Sequence, residues 1–168
     1  MKLIVAVDNK WGIGKKNGLL FDLPEDMKFF RKTTSGKVVC MGYNTLLSFP
    51  DGKPLKNRVN IVLAPAGVTR DDCIVVYTLG ELKEALDKYN TDDVFVIGGA
   101  MFYRTMYPYC SEAYITKVYA DGGAEVFFDN LDLLDNWSYE YLSDKISSGG
   151  FEFRFTLYKN SKPLPFEG

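Results

Sequence analysis

The chain has 168 residues, of which 46% are hydrophobic and 25% charged, with 20 Lys and Arg against 22 Asp and Glu. That is the size and balance of one globular domain with its own core, and it excludes a disordered chain, a basic nucleic-acid surface and a polybasic membrane face. Histidine is absent, which removes Ser-His-Asp and Cys-His nucleophilic pairs and His-ligated metal centres and leaves carboxylate, tyrosine, lysine or water for proton chemistry; no metal site is expected.

The run Leu3-Ile4-Val5-Ala6-Val7 predicts a strand over Lys2 to Val7. It is far shorter than the ~20 residues that cross a bilayer, and one lysine before it with Asp8 after it is not the form of a signal peptide. A cytoplasmic protein without a nucleic-acid or membrane partner is expected. A long loop, Asp8 to Leu23, follows with two glycine clusters, Gly12-Ile13-Gly14 and Asn17-Gly18; loops of that length in a compact domain tend to be mobile lids. Neither G-x-G-x-x-G nor a P-loop occurs. Pro24 at a first-turn position opens a helix over Glu25 to Thr34.

Further strands are predicted at Lys37 to Gly42, Val59 to Leu63, Cys73 to Tyr77 and Val94 to Ile97. Unbroken hydrophobicity in the first and last of the apolar runs marks strands covered on both faces, as in a parallel sheet between helices. Helices fit Leu79 to Tyr89, where Thr78 and Glu81 have capping-box spacing, and Ala100 to Tyr107. Beyond residue 112 polar and apolar residues alternate in Glu112 to Tyr119, Trp137 to Leu142 and Phe151 to Lys159, with Ser147-Ser148-Gly149-Gly150 as a turn, which predicts an antiparallel ending. The domain is expected to span 1–160, with 161–168 as a tail. Cys40, Cys73 and Cys110 read as free thiols.

Single residues leave alternatives open. Gly98-Gly99, at the carboxyl end of a buried strand and the start of a helix, is either a tight turn or an anion cradle. Asp26 either meets the positive end of its helix, as Glu25 does, or is a partly desolvated acid that handles a proton. Arg58 is a solvated edge residue or an anion clamp, and Thr116 an ordinary strand former or a site residue.

The joint order narrows these choices. Ile4-Val5-Ala6-Val7, Gly12-Ile13-Gly14-Lys15, Leu23-Pro24-Glu25-Asp26, Phe29-Phe30, Met41-Gly42 with Thr45, Arg58 with Asn60-Ile61-Val62-Leu63, Val96-Ile97-Gly98-Gly99-Ala100 with Tyr103, Tyr114-Ile115-Thr116 and Phe151 with Phe153 together resemble the dihydrofolate reductase family over roughly Leu3 to Tyr158. The resemblance implies a single three-layer α/β domain: an eight-stranded, mostly parallel sheet with an antiparallel C-terminal strand, and about four flanking helices. It implies hydride transfer from NADPH to C6 of dihydrofolate with protonation at N5, a monomer, and inhibition by antifolates.

By the same resemblance Asp26 binds the pterin and promotes protonation through water, and Thr116 hydrogen-bonds its carboxylate. Val5, Ala6, Met27, Phe30, Phe49, Ile97 and Tyr103 surround pterin, benzoyl group and nicotinamide, and Arg58 grips the glutamate α-carboxylate. The cofactor set comprises Ala6, Ile13, Gly14 and Gly18 in or near the covering loop, Gly42, Tyr43, Asn44 and Thr45 at a short helix, Leu63 and Ala64, and Gly98, Gly99, Ala100, Met101 and Phe102 around the pyrophosphate turn, where the family has a cis Gly-Gly bond. Phe21 stands where the family usually has a catalytic-loop tryptophan, keeping a ring without the indole N–H. Tyr43 and Asn44 replace basic residues that commonly meet the 2′-phosphate, Ala64-Pro65 replaces a frequent serine, and Met101 an occasional arginine. Arg70 or a lysine would then have to reach in, and NADH becomes a second candidate cofactor.

Two other readings share much of the pattern. One is a reductase on this fold acting on a pyrimidine or flavin precursor, against which Asp26 with Arg58 argues because such a substrate has no glutamate tail. The other is a non-catalytic structural or binding protein that retains the fold.

Overall fold

The computed structural model describes residues 1–15 and 18–168; Asn17, part of the second glycine cluster, lies outside the described residues. The strands are β1 (Lys2–Val7), β2 (Gly12–Lys15), β3 (Gly18–Leu19), β4 (Val38–Gly42), β5 (Val59–Leu63), β6 (Ile74–Val76), β7 (Val94–Val96), β8 (Glu112–Val118), β9 (Val126–Phe127), β10 (Trp137–Tyr141), β11 (Ile146–Ser148) and β12 (Phe151–Asn160). The helices are α1 (Pro24–Thr34), α2 (Tyr43–Ser48), α3 (Leu79–Leu86) and α4 (Ala100–Met106). None of the described helices is long and apolar enough to cross a membrane.

Nine strands form the main sheet, in the order β10-β12-β8-β1-β7-β4-β5-β6, with β11 pairing with the start of β12 and β10 with its end. From β8 to β6 every pairing is parallel, and β12 joins β8 antiparallel. Side chains alternate between the two faces. Val38 and Cys40 of β4 point into one cluster with Leu82 and Leu86 of α3 and Phe102 and Met106 of α4. Val39 and Met41 point into the other, with Leu46 of α2 and the half-buried Phe29 and Phe30 of α1. A continuous apolar run is therefore used on both faces, which gives three layers. Each fully buried Val, Leu or Ile contributes roughly 1.5–3 kcal/mol.

Local chemistry sets the helix ends. Thr78 caps α3, its Oγ1 accepting from the Glu81 N–H at 3.1 Å, an arrangement worth ~1 kcal/mol. α3 stops at Leu86, earlier than the expected Tyr89, because Asp87 and Tyr89 close a turn on the Lys83 and Leu86 carbonyls. α4 gives way before Pro108 to a 3-10 turn over Tyr107–Tyr109. The predicted strand Cys73 to Tyr77 shortens to β6.

Two regions depart further from expectation. The predicted turn Ser147 to Gly150 narrows to Gly149-Gly150, both at positive φ, while Ser147 and Ser148 extend β11. β12 is long enough to pair with β11 through Phe151–Phe153 and with β10 through Thr156–Asn160. The Asp8 to Leu23 segment is not plain loop: β2 and β3 pair, and β2 also pairs with β9, in a second sheet. Asp8 anchors it, Oδ1 accepting from the N–H groups of Lys10 (2.9 Å) and Gly12 (2.7 Å) and Oδ2 from that of Gly122 (3.0 Å). At residues 161–168, Phe166 packs on Tyr109 and the Leu164 N–H reaches the Pro108 carbonyl at 3.0 Å. Cys40 and Cys110 are buried, Cys73 half-buried, and all three are free.

Candidate active site

The parallel strands deliver their carboxyl ends to one edge of the sheet, where open α/β sheets bind ligands. Ala6 of β1 lies in register with Thr116 of β8, and Phe155 of β12 flanks Thr116 on its other side. α1 packs over this edge. Its preceding residue, Leu23, offers no side-chain cap, so the first turn depends on Pro24 and on the acidic pair Glu25 and Asp26.

Asp26 does not turn back to cap that turn. Its Oδ1 accepts a 2.6 Å hydrogen bond from Thr116 Oγ1, and Thr116 is buried. Burial raises the Asp26 pKa above the ordinary aspartate value, and the Thr116 hydrogen bond pulls it partly back by favouring the anion. Tyr103 stands close enough to feel that carboxylate. Its phenol, buried and pushed up in pKa, donates to the Ile4 carbonyl at 2.7 Å and fixes α4 to β1.

Beside Tyr103 the Gly98-Gly99 bond is cis, and Gly98 has φ 129°. A Cβ on either glycine would lie 3.4 Å from Thr45 Oγ1, so the missing side chains leave backbone and Thr45 hydroxyl open to a close-fitting group. The Gly42 N–H donates to the Gly98 carbonyl at 2.8 Å, joining the two turns. Such a cradle fits the diphosphate of a dinucleotide.

Phe30, Phe49, Ile97 and Tyr43 border one apolar cluster, while Val5, Ile13, Leu63, Phe102 and Tyr103 belong to the cluster on the opposite face. Met27 and Met101 are exposed, Ala6 and Ala100 half-buried, and Ala64 buried. Among the loop residues Gly14 is buried and Gly18 exposed; Asn44, too, is exposed. Phe21 packs edge-on against Phe151, centroids 4.8 Å apart, in a third cluster with Leu23, Val118 and Phe153.

Arg58 lies just ahead of β5. Its Nη1 donates to Thr34 Oγ1 at 3.1 Å and its Nε to the Lys56 carbonyl at 2.9 Å, with the guanidinium 5.9 Å from the centre of the Phe30 ring. Burial lowers its pKa, and the like charge of Arg31 lowers it further. Two like charges near enough to disfavour each other would both be relieved by an anion. Sequence reasoning missed Arg31 and Thr34 here; the only sign was their position one and two turns beyond Asp26 on the same helix. It also missed Asp8, which reads as a strand terminator.

Arg70, looked to as a stand-in cation, is already paired: Nε meets Asp72 Oδ1 at 3.0 Å and Nη2 meets Asp72 Oδ2 at 2.8 Å.

Comparison with known proteins agrees with this geometry. The family model described as dihydrofolate reductase matches residues 1–160. The chain is 35% identical over 167 residues to a dihydrofolate reductase of Bacillus subtilis, covering 96% of each chain. It is 30% identical to one from Schistosoma mansoni, covering 94% of this chain and 95% of the relative. A dihydrofolate reductase of Staphylococcus haemolyticus is 28% identical, with 95% of both chains covered. With an acid–hydroxyl pair at the carboxyl edge, a glycine cradle beside it and a match that runs the length of the domain, the chain belongs to the dihydrofolate reductase family.

Proposed function

We propose that the protein reduces 7,8-dihydrofolate to tetrahydrofolate with NADPH, and that Asp26 is the group that promotes protonation at N5. The observation that carries this reading is the Thr116–Asp26 hydrogen bond: a carboxylate held by a buried hydroxyl, facing the carboxyl edge of the sheet rather than its own helix. A nicotinamide cofactor supplies hydride, which asks of the protein one proton and an aligned pair of rings.

The chain's residues divide that work. Asp26 hydrogen-bonds the pterin and sets water for the proton, and Thr116 fixes which way its carboxylate faces. Phe30, Phe49 and Ile97 on one side, with Val5 and Tyr103 on the other, exclude solvent from the rings. Arg58 holds the glutamate α-carboxylate in two parallel bonds. Gly98, Gly99 and Thr45 take the diphosphate, and Ala6, Ile13 and Gly14 close over the nicotinamide. Phe21 shields the site without donating a hydrogen bond. This reading makes residues 1–160 one catalytic domain, active as a cytoplasmic monomer and sensitive to antifolates.

Loss of NADPH absorbance with and without dihydrofolate tests it. Oxidation that depends on dihydrofolate and stops with a methotrexate-like antifolate is the expected result. Folate binding without turnover on either NADPH or NADH would favour a non-catalytic role.

A further inference from the structure

Along the carboxyl edge β4, β5 and β6 end side by side, Gly42 opposite Leu63 and Leu63 opposite Val76. The next residues out are Tyr43, Ala64 and Tyr77. Ala64 is buried and spends its N–H on the Val76 carbonyl at 2.9 Å. Tyr77 spends its hydroxyl on the Val68 carbonyl at 2.6 Å. The row itself carries no cation. Arg70, in the β5–β6 connection, does border it, close enough to Tyr43 to feel the phenol. Its guanidinium is gripped by Asp72 through two parallel bonds of 3.0 and 2.8 Å and also donates to the Gly52 carbonyl at 2.8 Å.

A dinucleotide with its diphosphate at Gly98-Gly99 and its nicotinamide toward β1 must run its adenosine half over β4, β5 and β6, since β7 lies between β1 and β4. At the usual strand spacing the end of β6 is about 14 Å from that of β7, within the span of an extended adenosine ribose. A 2′-phosphate in this place gains affinity from free cationic donors, each good contact being worth roughly ten- to a hundredfold. A guanidinium already neutralised by a fork-to-fork carboxylate contributes little of that.

We infer that the bidentate pairing with Asp72 withholds Arg70 from the ribose 2′ position, so that the protein binds phosphorylated and unphosphorylated nicotinamide dinucleotides almost equally, and that Asp72 is the residue that sets this indifference. The inference rests on the reading of the site as that of a dinucleotide-dependent reductase. It makes NADH a working cofactor beside NADPH.

Calorimetric titration with ADP-ribose and 2′-phospho-ADP-ribose tests it, because neither probe carries nicotinamide and neither can react. The wild-type Kd values should agree within about tenfold. Asp72→Asn should tighten 2′-phospho-ADP-ribose about tenfold or more while moving ADP-ribose by less than about twofold, and adding Arg70→Met should abolish that gain. Asp72→Ser repeats the release with a different side chain, and melting curves verify that each variant is folded. A wild-type preference for the phosphorylated probe above about a hundredfold would overturn the inference, as would folded Asp72 variants with an unchanged ratio. Binding of neither probe would remove the dinucleotide reading beneath it, a failure that dihydrofolate-dependent oxidation of NADPH or NADH detects separately.

Discussion

Thr116 Oγ1 donates to Asp26 Oδ1 over 2.6 Å, joining the middle of β8 to the first turn of α1 across 90 positions of sequence. A bond of this kind to an ionised group contributes about 1.5–3 kcal/mol, more than the 0.3–1 kcal/mol that an exposed acid gains from a helix dipole. The carboxylate therefore faces the sheet edge, where a proton can be used.

Asp26→Asn separates that role from helix support. If the acid promotes N5 protonation, turnover at neutral pH falls by about 10²- to 10⁴-fold and recovers as the solution is acidified, because solvent then protonates the pterin. Stability should move the other way. A carboxyl whose folded pKa is raised binds its proton more tightly folded than unfolded, so its ionisation costs stability as pH rises from the ordinary value through the folded one. At neutral pH the variant should melt at or above the wild type, which a melting curve beside the pH–rate profile measures.

Thr116→Val keeps shape and removes the donor. The Asp26 pKa, which this bond holds down, should rise, carrying the corresponding limb of the pH–rate profile to higher pH. Turnover should fall and stability drop by about 1 kcal/mol or more, the cost of leaving a half-buried acceptor unpaired. An unmoved pH profile would show that Thr116 only supports the sheet.

Arg58→Lys replaces a planar fork by a point charge. The KM for dihydrofolate should rise at least about tenfold, with the KM for the dinucleotide nearly unchanged. Arg58 also ties Thr34 to Lys56, so equal losses on both substrates together with a lower Tm would identify a folding defect.

Gly122→Ala places a methyl group 2.9 Å from Phe21 Cζ and 3.1 Å from Leu20 Cδ1. The Phe21 ring and the Leu20 side chain must shift, at an overpacking cost of about 1–3 kcal/mol. The disturbance falls on the Leu20–Phe21 stretch ahead of α1 and, on the proposed reading of that stretch as part of the site's cover, should lower kcat more than dihydrofolate affinity, as single-turnover kinetics and direct folate binding would reveal.

The parallel core was legible because β1 from Leu3 onward and β7 are apolar without interruption, a pattern that burial on both faces accommodates. Asp26 and Thr116 were legible as a pair only through the ordered motifs, since neither residue alone distinguishes dipole or strand former from site. The small sheet was not legible: β3 and β9 have two residues each, too few for periodicity, and their pairing with β2 is made by distant chain. Nor could spacing reveal that Arg58 ties back to Thr34, or that Arg70 folds back on Asp72 instead of outward, because side-chain direction there follows from neighbours in space.

Asp8 closes β1 with one carboxylate that serves two separate stretches of chain, Oδ1 for residues 10 and 12 and Oδ2 for residue 122. The segment that follows β1 and the segment beyond β8 are thus held by one common post at the end of the first strand. A displacement of either that breaks its bond leaves the same carboxylate to serve the other alone, so a fluorine label on either stretch is expected to report a displacement of the other.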